Sequence, residues 1–217
     1  MSRRVLYSYW RSSAAYRVRL ALNLKDIDYR IEPVHLARDG GEHSQPAYLA
    51  LNPQGLVPLL VDGDLRITQS LAIIEYLEET CPSPALLPAD PAARARVRSL
   101  AQIIACDIHP LDNLRVTNYL RDELGVGAEP GRVWYAHWIR TGFNALETRL
   151  AREPGTGKFC HGDQPGLVDI FLVPQIYNAL RFEFDMTPYP TLRRVHAACQ
   201  TLDEFRRAAP EAQPDAA

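Results

Sequence analysis

Ser12 and Ser13 stand where a short apolar and aromatic run, Val5-Leu6-Tyr7-Ser8-Tyr9, gives way to helical spacing of Val18, Ala21, Leu22 and Leu24. A serine at a helix start has two uses. It caps the helix by accepting a backbone N–H, its commonest role, or it lends its own proton to an anion that the helix N-terminus already favours. The local residues leave both open. Gln69-Ser70 opens a second helical stretch, with Ser70, Ile73, Ile74 and Leu77 on one face, and carries the same pair of readings, a simple cap or a seat for a carboxylate. His109 and Asn113 are spaced i, i+4, which predicts a shared helical face. A structural hydrogen bond and a proton-handling role both suit that pair. Arginine is the remaining resource, because a planar guanidinium binds carboxylates in bidentate fashion. Of the 24 basic residues all but Lys25 and Lys158 are arginine, so any one of them reads first as a solvated surface group.

The composition removes several function classes. The 26 acidic residues leave a net charge of -2 on 217 residues, and no basic field remains for a nucleic acid. Cys81, Cys106, Cys160 and Cys199 lie too far apart for a redox pair or a cysteine zinc site, and the histidines show no ligand spacing, so no metal is expected. A reducing compartment is the default for such cysteines. No apolar run approaches the ~18 residues of a membrane helix, and Met-Ser-Arg-Arg leads into a strand-like stretch without a signal-peptide core. The expectation is a cytoplasmic protein with neither a membrane nor a nucleic-acid partner.

The elements that must position these residues follow from periodicity. A strand over 5–9, a helix over 13–25, a strand over 29–34 and a short helix ending near Leu51 are followed by the turn cluster Asn52-Pro53-Gln54-Gly55. Val57-Pro58-Leu59-Leu60-Val61 and Leu65-Arg66-Ile67 flank Asp62-Gly63-Asp64, a hairpin signal. The order β-α-β-α-β-β-α, one parallel crossover and then an antiparallel hairpin, describes a thioredoxin-like sheet. Three prolines between Cys81 and Asp90 read as a linker. Beyond it, helical stretches over about 91–124, 130–152, 167–180 and 190–205 predict an all-helical domain. The expected division is 1–82, a linker over 83–90, and 91–217, with a frayed tail from Ala209.

These features together resemble the zeta class of the glutathione transferases. The likeness rests on Ser12-Ser13-Ala14-Ala15-Tyr16-Arg17-Val18-Arg19, Asn52-Pro53-Gln54-Gly55-Leu56-Val57-Pro58, Gln69-Ser70, Asp107-Ile108-His109-Pro110-Leu111-Asp112-Asn113-Leu114-Arg115 and Gln213-Pro214-Asp215-Ala216. There are two departures. Many members carry a cysteine at the position of Ala14, which leaves only serine-dependent chemistry here. Gly166 stands where a Ser or Thr helix cap is usual, at a cost of a few tenths of a kcal/mol.

The resemblance implies glutathione as cofactor and a cis-trans isomerisation of a dicarboxylate, maleylacetoacetate to fumarylacetoacetate. Maleylpyruvate isomerisation, or general conjugation of electrophiles, is the alternative. The π bond must vanish before rotation, and reversible addition of the tripeptide's thiolate achieves that. Lowering a thiol pKa from about 8.5 by two units takes roughly 2.7 kcal/mol. A helix N-terminus offers about 0.3–1 kcal/mol and a hydroxyl hydrogen bond to a charge about 1.5–3. Ser12 is implied as the thiolate donor, with Ser13 as cap or second donor. Gln54, Val57 (through a cis Val57-Pro58 turn), Gln69 and Ser70 are implied to hold the tripeptide. His109 and Asn113 would point at the thiol or substrate, while Arg11, Arg115 and Arg181 would take the dicarboxylate. A homodimer is implied as well.

Overall fold

A computed structural model describes residues 4–216 as two compact units. One runs through the N-terminal part to Leu86 and resumes at Gln200; the other spans Leu87–Cys199.

In the first unit β1 (Arg4–Ser8), α1 (Ser13–Leu24), β2 (Arg30–Pro33), a single-turn α2 (Pro46–Leu49), β3 (Leu59–Asp62), β4 (Leu65–Thr68) and α3 (Ser70–Thr80) follow the expected order. The sheet order is β2-β1-β3-β4, with β1 and β2 parallel and the other pairs antiparallel. Gly63, at φ +63°, supplies the left-handed residue of the β3–β4 hairpin. Leu6, Leu59 and Leu60 of the sheet and Ala15, Val18, Leu20, Leu22, Ile73 and Leu77 of the helices are fully buried.

Helix α1 is buried on every side, between α3 and α9 (Asp203–Ala208). Both of its arginines, Arg17 and Arg19, are therefore interior, which corrects the reading of these two as solvated. The tail is a second correction. The sequence placed residues up to 217 in the helical domain and expected fraying from Ala209, yet the chain from Gln200 groups with the first unit, and Pro210 and Gln213 are buried. The proline-rich segment is fastened too. Fully buried Lys25 pairs with Glu78 at 2.7 Å and donates to the Cys81 and Pro84 carbonyls at 2.7 and 2.9 Å, which uses all three of its N–H groups.

The second unit is helical: α4 (Pro91–Gln102), a π-helical turn (Ile103–Ile108), α5 (Leu114–Asp122), α6 (Ala128–Arg152), α7 (Leu167–Arg181) and α8 (Pro190–Gln200). Two stretches read as continuous helices are broken, at 103–113 and after Gln200. Asp169 of α7 accepts from the Gly166 and Cys160 N–H groups at 2.9 and 3.0 Å, so the carboxylate half of a capping box survives although glycine has no hydroxyl to return. No helix among the described residues is long and apolar enough to cross a membrane.

Candidate active site

The first unit carries the predicted site residues on three loops. After β1 the chain turns, the Ser12 N–H donates to the Tyr9 carbonyl at 2.9 Å, and Ser12 becomes the N-cap of α1. Its Oγ accepts from the Ala15 N–H at 3.2 Å. A hydroxyl has one proton and two lone pairs, so this cap leaves the Ser12 proton for an anion at the helix N-terminus. Capping and donation are therefore compatible at Ser12. Ser13 is buried one residue into the helix and does not cap it, which settles the cap on Ser12. Arg11 is exposed beside it, 3.2 Å from the Tyr9 hydroxyl and with its guanidinium 4.6 Å from the centre of the Trp10 ring.

The second loop is shaped by Tyr48 and Asn52, which both donate to the Leu56 carbonyl at 2.7 Å. Burial pushes the Tyr48 phenol up to about 12, so it stays a donor at any physiological pH. The Val57–Pro58 peptide is cis, as the resemblance implied. The Val57 N–H and carbonyl, just before β3, make no hydrogen bond among the described residues.

The third loop enters α3. Gln69 has φ +69°, an outlier for a non-glycine residue of the kind that collects at ligand-binding turns. Its amide donates to the Gln54 side chain at 2.9 Å, so two residues fifteen apart meet. Behind them Ser70 is buried and accepts from the interior Arg17 guanidinium at 3.4 Å. A buried cation under a helix N-terminus strengthens an anion seat. The sequence reading gave Arg17 no role. The available signal was a charged side chain inside the otherwise apolar run Tyr16–Leu22, which must be satisfied internally.

In the second unit His109 and Asn113 do not share a helical face. The π-helical turn ends at Ile108, with the His109 N–H donating to the Ile104 carbonyl at 2.9 Å, and the chain turns through 109–113. Asn113 is the N-cap of α5, its Oδ1 accepting from the Arg115 N–H at 3.1 Å. Arg115 is exposed on the first turn of α5 and Arg181 exposed at the end of α7, its guanidinium 4.8 Å from the Phe182 ring centre. Phe182 in turn packs on Tyr135 at 4.0 Å between centroids. The Tyr135 phenol is raised chiefly by burial, further by the Asp112 charge, and lowered by Arg181, which places the 109–113 turn and the end of α7 around one tyrosine. Asp112 is buried, neither oxygen accepts a hydrogen bond among the described residues, and desolvation pushes its carboxyl up to about 8. The sequence reading gave Asp112 no role.

Residues 11–80 match the glutathione S-transferase N-terminal domain and residues 134–211 its C-terminal domain. A probable maleylacetoacetate isomerase of Vibrio cholerae is 52% identical over 98% of this chain and 98% of its own. The chain is a zeta-class glutathione transferase. A maleylpyruvate isomerase of a Ralstonia species is also 52% identical, over 98% of this transferase and 99% of its own length. Among solved structures, a zeta-class maleylpyruvate isomerase superposes with a TM-score of 0.95 at 52% identity, covering 98% of this chain and 100% of its own. The maleylacetoacetate isomerase of Methylobacterium extorquens, solved with bound malonate and glutathione, gives 0.94 at 46% identity, over 98% and 99% of the two chains. The zeta-class transferase described here thus has a solved relative that holds a tripeptide thiol and a dicarboxylate together.

Proposed function

We propose that this transferase is a glutathione-dependent isomerase of maleylacetoacetate. The observation that carries the reading is Ser12, a cap that keeps its own proton at the mouth of α1. The residues present fit the tripeptide. Val57 offers an unbonded N–H and carbonyl to an extended peptide, as an added strand would require. The N-terminus of α3, with Ser70 over Arg17, offers N–H groups and positive charge to its γ-glutamyl carboxylate. Gln54 and Gln69, bonded to each other, present amides beside that seat.

When bound, glutathione supplies a thiol that adds reversibly to the conjugated carbon, so that the former double bond can rotate. Ser12 donates its proton toward the thiolate and holds it ionised, with α1 adding the field of its N-terminus. Arg11, Arg115 and Arg181 bind and orient the substrate carboxylates, and His109 and Asn113 hold or move a proton near the thiol or substrate. A cationic set of this kind is wasted on apolar electrophiles, which disfavours general conjugation. Maleylpyruvate is the second reading, because an isomerase of that substrate is as similar as the maleylacetoacetate relative and the two substrates share the conjugated diacid. The cytoplasm is the proposed setting and a homodimer the proposed assembly.

The test follows loss of the maleyl chromophore with and without glutathione. Omission should abolish turnover, and Ser12→Ala should lower the rate by about ten- to a hundredfold, the worth of one hydrogen bond to a charge. Turnover unaffected by leaving glutathione out would refute the proposed function.

A further inference from the structure

Trp10 lies between the end of β1 and the capping serine, and both sides of its peptide are held from outside the loop. Its N–H donates to the Asp215 carboxylate at 3.0 Å, across 205 residues of chain. Its carbonyl accepts from Arg19 Nη2 at 2.9 Å. Arg19 is fully buried, and its other donors reach the Ser8 hydroxyl at 3.1 Å, the Tyr9 carbonyl at 3.4 Å and the Ala208 carbonyl at the end of α9 at 3.0 Å. One guanidinium therefore joins the β1–α1 loop to the last helix.

The segment that brings Asp215 back is itself fastened. Asn23 of α1 donates to the Glu204 carbonyl at 3.0 Å. The Gln213 amide donates to the Arg207 and Ala209 carbonyls at 2.9 and 2.8 Å, and the Ala216 N–H donates to the Gln213 carbonyl at 3.1 Å. Chain termini fray unless tied down, and here the Asp215 bond of the tail and the Arg19 bonds reach Tyr9 and Trp10, the two residues that precede Arg11 and Ser12.

We infer that the C-terminal segment after α9 is a clamp on the β1–α1 loop, in which Asp215 and Arg19 are positioning residues that set where Arg11 and the Ser12 hydroxyl point. The inference rests on the reading of Ser12 as the donor to the thiol. Removing the Asp215 acceptor frees the Trp10 N–H and leaves the loop fixed only from the Arg19 side, so Ser12 loses aim while its cap to Ala15 persists.

The test compares Asp215→Ala with Asp215→Asn. Both remove the charge, and only asparagine keeps an acceptor for the Trp10 N–H. Amide hydrogen exchange at Trp10, measured without glutathione, should speed up roughly tenfold in the alanine variant and stay near wild type in the asparagine variant. The thiol pKa of bound glutathione, read from thiolate absorbance, should rise by about half a unit or more in the alanine variant alone. A chain ending at Gln213, which keeps the Gln213 side-chain bonds, should reproduce the alanine result. The clamp is overturned if alanine and asparagine behave alike, and equally if exchange speeds up while the thiol pKa stays put, the pattern of a tail that merely stabilises the loop. Ser12→Ala is measured alongside to separate the two failures: an unmoved thiol pKa there sinks the serine reading, whereas a thiol pKa that rises in Ser12→Ala but not in Asp215→Ala sinks the clamp alone.

Discussion

Asp112 ought to make this protein less stable as pH rises through the neutral range, and replacing it with asparagine should remove that dependence. The residue is 8% exposed and its buried carboxyl has no hydrogen-bond partner among the described residues, so burial favours the protonated form and pushes its pKa from 3.8 up to about 8. The sign follows from proton counting. Below the unfolded value both states hold the proton and nothing is lost. Between the two values the unfolded chain has released a proton that the folded chain keeps, so the folded state loses about 1.4 kcal/mol for each pH unit gained. Above about 8 the loss is complete. Integrated over the window it reaches a ceiling of about 6 kcal/mol, comparable with the ~5–15 kcal/mol net stability of a typical domain. Asparagine mimics the protonated acid in size and neutrality but does not titrate. Urea unfolding between about pH 5 and pH 8, followed by fluorescence, reads the difference between the two proteins, in which every other carboxylate cancels. Trp134 is a local reporter, since its Nε1 donates to the Leu111 carbonyl at 2.9 Å, next to Asp112. The asparagine variant should gain on wild type by about 1 kcal/mol or more per pH unit. A gap that stays constant with pH would refute the reasoning.

Two further outcomes follow. Arg181→Gln should raise KM for the dicarboxylate by about ten- to a hundredfold, the worth of a charge-assisted hydrogen bond, with little effect on an uncharged electrophile; equal effects on both would remove the arginine from substrate recognition. Gly157→Ala should lower the melting temperature by several degrees, at about 1–3 kcal/mol, because the new Cβ would lie 2.5 Å from the Gly162 carbonyl oxygen, a backbone atom that cannot swing aside; an unchanged melting temperature would contradict that packing.

Local pattern determined much of this protein. The alternation of short apolar runs with helical spacing gives β1 to α3 in the expected order, and Asp62-Gly63-Asp64 gives the hairpin, because turn chemistry and side-chain periodicity are decided within a few residues. Ser12 at a helix start is legible for the same reason. The family was legible too, since its motifs are short contiguous strings. Tertiary structure decided the rest. An i, i+4 spacing predicts a shared face only if the chain is helical, and the π-helical turn ending at Ile108 takes His109 and Asn113 out of any helix. Arg17 and Arg19 look like surface residues by type, and only the packing of α1 between α3 and α9 puts them inside, where they must be satisfied. Asp112 is one acid among many until burial removes its water. The tail reads as frayed because its anchors, Arg19 and the Trp10 N–H, lie near the opposite end of the chain, beyond the reach of any local pattern.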